Sequence, residues 1–262
     1  MVQVLNSPIK DLFMQLVCES NTSIELCAPY VKTSIVSSLL QQKQNSSSLK
    51  LLTTFNLNNF YKGSSDIDAV KLVNEHNGSV FNSQRLHAKV YLFDKKYAII
   101  TSANLTYSGF EKNIEYGVLF DEPPLVKQVS SDFESICSDE ATGKIDVEKI
   151  QHITRILNNL PEYKEPCAFM PPEVSEDKVL DVDKDRIISQ LSGWQSITFR
   201  VIDAFGDMNF SLADVYEYEN TFQKAYPNNN TIPFSIRRNL QELRDLGLIK
   251  FNGNGKYTRL WK

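Results

Sequence analysis

The chain has 262 residues, 42% of them hydrophobic and 23% charged, and a formal charge of −4. These values exclude a disordered polyelectrolyte, and the length favours two domains over one. Cys18, Cys27, Cys137 and Cys167 form no CxxC pair and no run approaches the roughly 20 apolar residues that cross a bilayer, so no zinc knuckle, disulfide scaffold or membrane anchor is expected. The protein is expected to be soluble and cytoplasmic.

In chain order, SIELCAPYV predicts a buried strand, SIVSSLLQQ a helix, LKLLTTF a strand and SDIDAVKLVNEH a helix. This alternation predicts an α/β layer with a mostly parallel sheet. LHAKVYLFD and KYAIITS follow as strands on either side of a polar step, and NIEYGVLF is another strand before the DEPP turn. PLVKQVSSDFESI and VEKIQHITRILNNL are helical and close a first domain over residues 1–160. Residues 161–184 hold four of the ten prolines and a net charge of −4, which predicts an acidic linker.

A second domain, 185–262, opens with a helix in ITFRVIDAFG. SLADVYEYENTFQKAYP is a second helix, with Ser211 as N-cap and Asp214 three residues on, and PFSIRRNLQELRDLG is a third. LIKFNGNGKYTRLW gives two short strands around a glycine-rich tip. Three helices and a hairpin predict a winged helix-turn-helix. Residues 232–262 carry seven basic and two acidic side chains, a local charge of +5.

One of only three histidines, His87, lies two residues before Lys89. Alternate strand residues share a side, so the ring and the ammonium point together while Ala88 and Val90 face the opposite layer. Ser102 and Asn104, after the next strand, bring a hydroxyl and an amide to the same edge. Such a set suits a phosphate: a histidine attacks or protonates while lysine and asparagine neutralise and hydrogen-bond the oxygens. A lone His–Lys pair on a strand is ordinarily solvated or structural, and it is the Ser and Asn in register that favour function.

His87, Lys89, Asp94, Ser102 and Asn104 reproduce the spacing H-x-K-x4-D-x6-G-S-x-N, and residues 1–160 resemble the phospholipase D superfamily. Thr101 stands where that family has glycine, and Glu115 fits the place of a downstream glutamate that orients the histidine. The resemblance implies a mixed sheet flanked by helices and phosphodiester hydrolysis through a phosphohistidine, with no metal and no cofactor. It also implies that Asp94 is structural. A complete site in the superfamily takes two motifs, one histidine as nucleophile and one as general acid. His76 and His152 lack the following lysine, so a homodimer is expected in which His87 of each subunit meets across a two-fold axis. Thr101 raises a question of backbone geometry, because a β-branched residue does not adopt positive φ.

In a winged helix the third helix enters the major groove, and the wing follows the backbone or the minor groove. Arg237, Arg238, Asn239 and Gln241 lie near the start of that helix as candidate base readers, and Lys250, Lys256 and Arg259 as phosphate contacts. The run VYEYENTFQKAYPNNNTIPFSIRRNLQELRDLGLIKFNGNGKYTRL resembles the C-terminal winged helix of the DpnI-like, Dam-replacing restriction endonucleases: a P-N-N stretch, an I-R-x-x-L-Q-x-L-R-D-x-G helix and a G-x-G-x-Y wing. The resemblance implies double-stranded DNA as partner and N6-methyladenine in GATC-like sites as target. Trp194, in SGWQS, offers an apolar surface for the methyl; burial in the domain core is its competing fate. The expectation is a restriction endonuclease. Cleavage of unmodified sites, a DNA-binding regulator with a non-catalytic dimerisation domain, and a lipid phosphodiesterase remain as alternatives.

Overall fold

The computed structural model describes residues 1–163 and 179–262, so Pro166, Pro171, Pro172 and most of the expected linker lie outside the described residues. Two compact units result, one of Met1–Phe55 and Gly63–Ile150, the other of Asn56–Lys62 and Gln151–Lys262.

The first unit is built on eight strands: β1 (Val2–Asn6), β2 (Ser23–Cys27), β3 (Ser48–Thr53), β4 (Ser79–Asn82), β5 (Val90–Phe93), β6 (Tyr97–Thr101), β7 (Tyr116–Phe120) and β8 (Gly143–Ile145). They form one sheet in the order β1-β7-β6-β5-β2-β3-β4-β8. Only β2–β3 and β3–β4 run parallel, which corrects the expectation of a mostly parallel sheet. The connections explain the difference. Parallel neighbours need a crossover, supplied by α2 (Thr33–Gln42) and α4 (Ile67–Glu75), whereas β5 turns directly into β6 through a three-residue loop. Asp94 and Lys95 adopt φ of +53° and +54° to make that turn.

Each face of the sheet buries apolar side chains against a helix. On one face Phe13 of α1 (Lys10–Glu19) meets Tyr91, Phe93 and Phe110 edge-on, with centroids 5.2, 5.5 and 4.8 Å away. On the other, Val126 and Phe133 of α5 (Pro123–Cys137) cover Cys27, Leu52, Leu92, Ala98 and Phe120. Burying one such side chain contributes about 1.5–3 kcal/mol, and a favourable ring pair about 1 kcal/mol more.

Asp94 ties the β5–β6 turn to the start of β2. Its carboxylate accepts the backbone N–H groups of Asn21, Thr22 and Ser23 at 2.7–3.1 Å and the Thr22 hydroxyl at 2.8 Å. Burial alone would raise its pKa, but these donors outweigh it and hold the carboxyl at about 2.

The second unit contains α3 (Leu57–Tyr61), most of α6 (Val147–Asn159), α7 (Lys184–Ile188) and then a winged helix. The winged helix runs α8 (Gly193–Asp203), β9 (Asn209–Ser211), α9 (Leu212–Tyr216), α10 (Glu219–Ala225), α11 (Ile232–Asp245), β10 (Ile249–Gly253) and β11 (Lys256–Arg259). The sequence missed β9, which completes an antiparallel sheet in the order β10-β11-β9. The expected second helix breaks at Tyr218 into α9 and α10. Ser211 caps as expected: its hydroxyl accepts the Asp214 N–H at 3.2 Å, and the Asp214 carboxylate accepts the Ser211 N–H at 2.6 Å. Trp261 is fully buried, stacks on Phe199 at 4.0 Å and donates its indole N–H to Asp203. Leu180, within the expected linker, is buried too and donates its N–H to Leu260. At the wing tip Gly253, Asn254 and Gly255 all have positive φ. Among the described residues no helix is long and apolar enough to cross a membrane.

Because the folded pKa of Asp94 lies below that of a free aspartate, its stabilisation is present above about pH 4 and fades as pH falls towards 2. Asp94→Asn is expected to cost about 2 kcal/mol at pH 7 and markedly less at pH 2.5. Urea unfolding at the two pH values checks this, and an equal loss at both would remove the carboxylate charge as the cause.

Candidate active site and nucleic-acid interface

Since β6 runs antiparallel to both β5 and β7, the segment before β5, the segment after β6 and the segment before β7 arrive at one end of the sheet. The backbone ladder continues past the strands. The Lys89 carbonyl accepts the Thr101 N–H at 3.1 Å, and the Tyr116 carbonyl accepts the Ser102 N–H at 2.9 Å. His87 and Lys89 therefore precede β5 instead of lying within it. Ala88, expected to face the opposite layer, is exposed, and its carbonyl accepts the Cys27 thiol at 3.6 Å.

The polar side chains divide the edge between them. His87 is exposed, and among the described residues its ring has no hydrogen bond. Lys89 is only 9% exposed and donates its ammonium to the His87 carbonyl at 2.8 Å. Burial lowers its pKa, while the negative charge of Glu115 works against that shift. The Ser102 hydroxyl donates to one Glu115 carboxylate oxygen, and the other accepts the Asn113 amide at 3.1 Å. Glu115 thus holds Ser102, and not His87 as the family's downstream glutamate would. The Glu115 main chain is anchored in turn by Ser7, whose hydroxyl accepts its N–H at 3.0 Å and whose N–H donates to its carbonyl at 3.2 Å. The side-chain oxygen of Asn104 accepts the Tyr30 N–H at 3.4 Å, which orients the amide beside the loop after β2. Asp94 sits at the far end of β5. The other two histidines are spent elsewhere: His76 Nδ1 lies 2.9 Å from the Leu72 carbonyl, and His152 Nε2 lies 3.0 Å from that of Gln190.

Thr101 causes no backbone strain. Its φ is not positive; it ends β6 in register with Gly117 of β7. A Cβ on Gly117 would lie 2.8 Å from the Thr101 Cβ and 2.7 Å from the Ile100 carbonyl oxygen. The space that a glycine at 101 would leave is supplied instead by a glycine across the ladder. The Thr101 hydroxyl donates to the Tyr116 carbonyl at 3.0 Å and accepts the Ala103 N–H at 3.2 Å.

In the second unit α11 has two distinct faces. Ile232, Ile236, Asn239, Leu240 and Leu243 are buried, while Phe234, Arg237, Arg238 and Gln241 form an exposed stripe at helical spacing. Asn239 departs from its expected place among the base readers: it is 6% exposed and donates its amide to the Ser235 carbonyl at 2.8 Å. Arg237 donates to the Tyr216 hydroxyl at 2.6 Å, and Arg238 to Glu242 at 3.1 Å. Lys256 is exposed on the wing. Arg259 is not available to a phosphate, because its guanidinium donates to the Asp203 and Phe205 carbonyls at 3.1 and 3.4 Å. Trp194 is half-buried. It lies nearly parallel to Tyr226 and Phe222, with centroids 4.5 and 5.4 Å away. It also borders an open cavity of about 480 Å³ shared with Gln195, Asn229, Ser235, Arg238 and Asn239. Sequence reasoning missed Phe234, Tyr216 and Gly117. The first was visible in the spacing of the stripe, whereas the other two have no local signal.

A sheet with a phosphate-suited edge and a winged helix with a basic stripe define a two-part chain. Residues 13–137 match the family described as cardiolipin synthase, PLD-like domain, and residues 190–259 match the Dam-replacing HTH domain family. The chain thus joins a PLD-like domain to a C-terminal Dam-replacing HTH domain. Among solved structures it is similar to a phospholipase D family member, Nuc from Salmonella typhimurium, at 20% identity over 56% of this chain and 98% of that one, with a TM-score of 0.48. It is also similar to NucT from Helicobacter pylori, at 15% identity over 52% and 94% of the two chains, with a TM-score of 0.43. Phosphatidylserine synthase from Haemophilus influenzae matches at 14% identity over 55% and 39%, with a TM-score of 0.47.

Gly117→Ala is expected to destabilise the chain by about 2 kcal/mol through overpacking, and Thr101→Gly in the same chain to recover part of that loss. Thermal unfolding of the two single variants and the double variant measures the coupling. Strict additivity would separate the two positions.

Proposed function

We propose that the protein is a restriction endonuclease that hydrolyses DNA phosphodiester bonds without a metal ion, directed by its winged helix to sites containing N6-methyladenine. The observation that carries this reading is the presence, in one chain, of His87, Lys89, Ser102, Asn104 and Glu115 at one sheet edge and of a basic, exposed stripe on α11 in a Dam-replacing HTH domain.

An imidazole nitrogen of His87 attacks phosphorus, so that a P–N bond forms as the P–O bond to the leaving deoxyribose breaks. Lys89 and Asn104 take up the charge on the phosphoryl oxygens, and the Ser102–Glu115 pair fixes the edge that carries them. A second copy's His87 protonates the leaving oxygen and then draws a proton from the water that cleaves the P–N bond. Each chain holds one such motif, so the working enzyme is a homodimer. An apolar row supports this pairing. Val4, Val118, Ile100 and Val90 are in register across β1, β7, β6 and β5, with Val4 and Ile100 exposed and Tyr116 exposed beside them. Exposed apolar side chains of this kind mark an interaction site, and this row lies near the same end of β5 and β6 as the motif, on the face of the sheet opposite the Lys89 side chain.

Dam-methylated plasmid is expected to be cut in EDTA, and unmethylated plasmid at least tenfold more slowly. Failure to cut either would sink the nuclease reading, and equal cutting would remove methyl dependence. His87→Ala is expected to lower cleavage by at least a thousandfold while DNA binding persists. In co-refolded mixtures of wild type with His87→Ala, activity is expected to follow the square of the wild-type fraction. A linear fall would mean that one chain suffices.

A further inference from the structure

Phe234 is the large apolar side chain most out of place in the second unit. It is 68% exposed, although it belongs to a well-packed helix. Ile232 and Ile236 on either side of it are 2% and 0% exposed, and Pro233 stiffens the first turn, so the phenyl ring stands on a fixed element. Arg237 and Arg238 lie three and four residues on, on the same face, with the Arg238 side chain 71% exposed. Arg237 is held in place by the Tyr216 hydroxyl. Two guanidinium groups framing an apolar ring fit a polyanion better than an apolar or basic protein surface.

We infer that Phe234 is a specificity-determining residue that packs against a methyl group projecting into the major groove of the bound duplex. This rests on the reading of α11 as the helix that enters that groove. A phenyl ring has no donor or acceptor, so it cannot tell one pattern of base-edge hydrogen-bonding groups from another. The apolar features of a major groove are methyls: the C5-methyl of thymine, and the N6-methyl of a modified adenine. Trp194 is less suited to that contact, since its indole is half-buried and stacked with Tyr226 and Phe222. Phe234 offers its surface beside Arg237, Arg238 and Gln241, where base edges would lie.

The test uses the full chain carrying His87→Ala, so that DNA stays intact during binding. A randomised duplex pool is prepared in four forms, with adenine or N6-methyladenine crossed with thymine or uracil, and the retention of each is measured at one salt concentration. The His87→Ala chain is expected to prefer at least one methyl-bearing form about fourfold over its methyl-free counterpart, the factor for burying one methyl. Adding Phe234→Ala should bring that ratio close to one with methyl-free binding changed less than twofold, and Phe234→Leu should keep most of it. Which pair of pools responds says whether the methyl is that of thymine or of modified adenine. Survival of the preference in Phe234→Ala overturns the inference, as does an equal loss on all four pools, which would mark a non-specific wedge. If the His87→Ala chain binds DNA without any methyl preference, the inference falls and the DNA-binding reading stands. If it binds no pool, both fall. Unchanged thermal unfolding of the Phe234 variants shows that the comparison is between folded proteins.

Discussion

The candidate site depends on strand register. His87, Ser102 and Glu115 belong to three different segments, and what assembles them is the antiparallel ladder through β5, β6 and β7, prolonged by the bonds from Thr101 to Lys89 and from Ser102 to Tyr116. A slip of one residue in any of these pairings would turn every side chain to the other face of the sheet. Asp94 guards against such a slip from the opposite end of β5. By accepting four donors from residues 21–23 it fixes the turn into β6 against the start of β2. The motif residue furthest from the chemistry is thus the one that indexes the strand carrying it.

Charge is handled differently in the two units. At the sheet edge a nearly buried ammonium is bonded to the His87 carbonyl and feels the negative charge of one carboxylate, and that carboxylate is occupied by a serine hydroxyl and an asparagine amide. In the winged helix the local charge of +5 overstates what a duplex would meet. Arg244 is paired with Asp245 at 2.7 Å, and Arg259 is committed to backbone carbonyls beside Asp203. The basic groups that face outwards include Arg237, Arg238 and Lys256, on the leading helix and the wing. The positive potential is therefore concentrated where helix and wing project, and not spread over the domain.

Much of this could be read from the sequence, for identifiable reasons. The H-x-K-x4-D spacing and the serine and asparagine that follow are local, and the capping box at Ser211 and Asp214 is set by three residues of chain. What escaped was long-range. Val2–Asn6 becomes a strand only by pairing with β7, and the three residues of β8 only by pairing with β4. Asn239 has the residue type of a base reader and the position of a core residue. It shares a face with Ile232, Ile236 and Leu243, and that spacing already pointed inwards. Arg259 looked like a phosphate contact because nothing near it in sequence reveals the Asp203 and Phe205 carbonyls.

The Thr101–Gly117 contact ties two positions sixteen residues apart to one packing constraint. With a side chain at 101, position 117 is closed to any residue but glycine, because its Cβ would meet the threonine Cβ and a backbone oxygen together. Removing the threonine side chain would relieve one of these contacts and leave the other, with the Ile100 carbonyl oxygen 2.7 Å away, in place. Position 117 is thus held to glycine by the ladder itself as well as by its cross-strand neighbour, a packing constraint that a survey of one strand alone would take for catalysis.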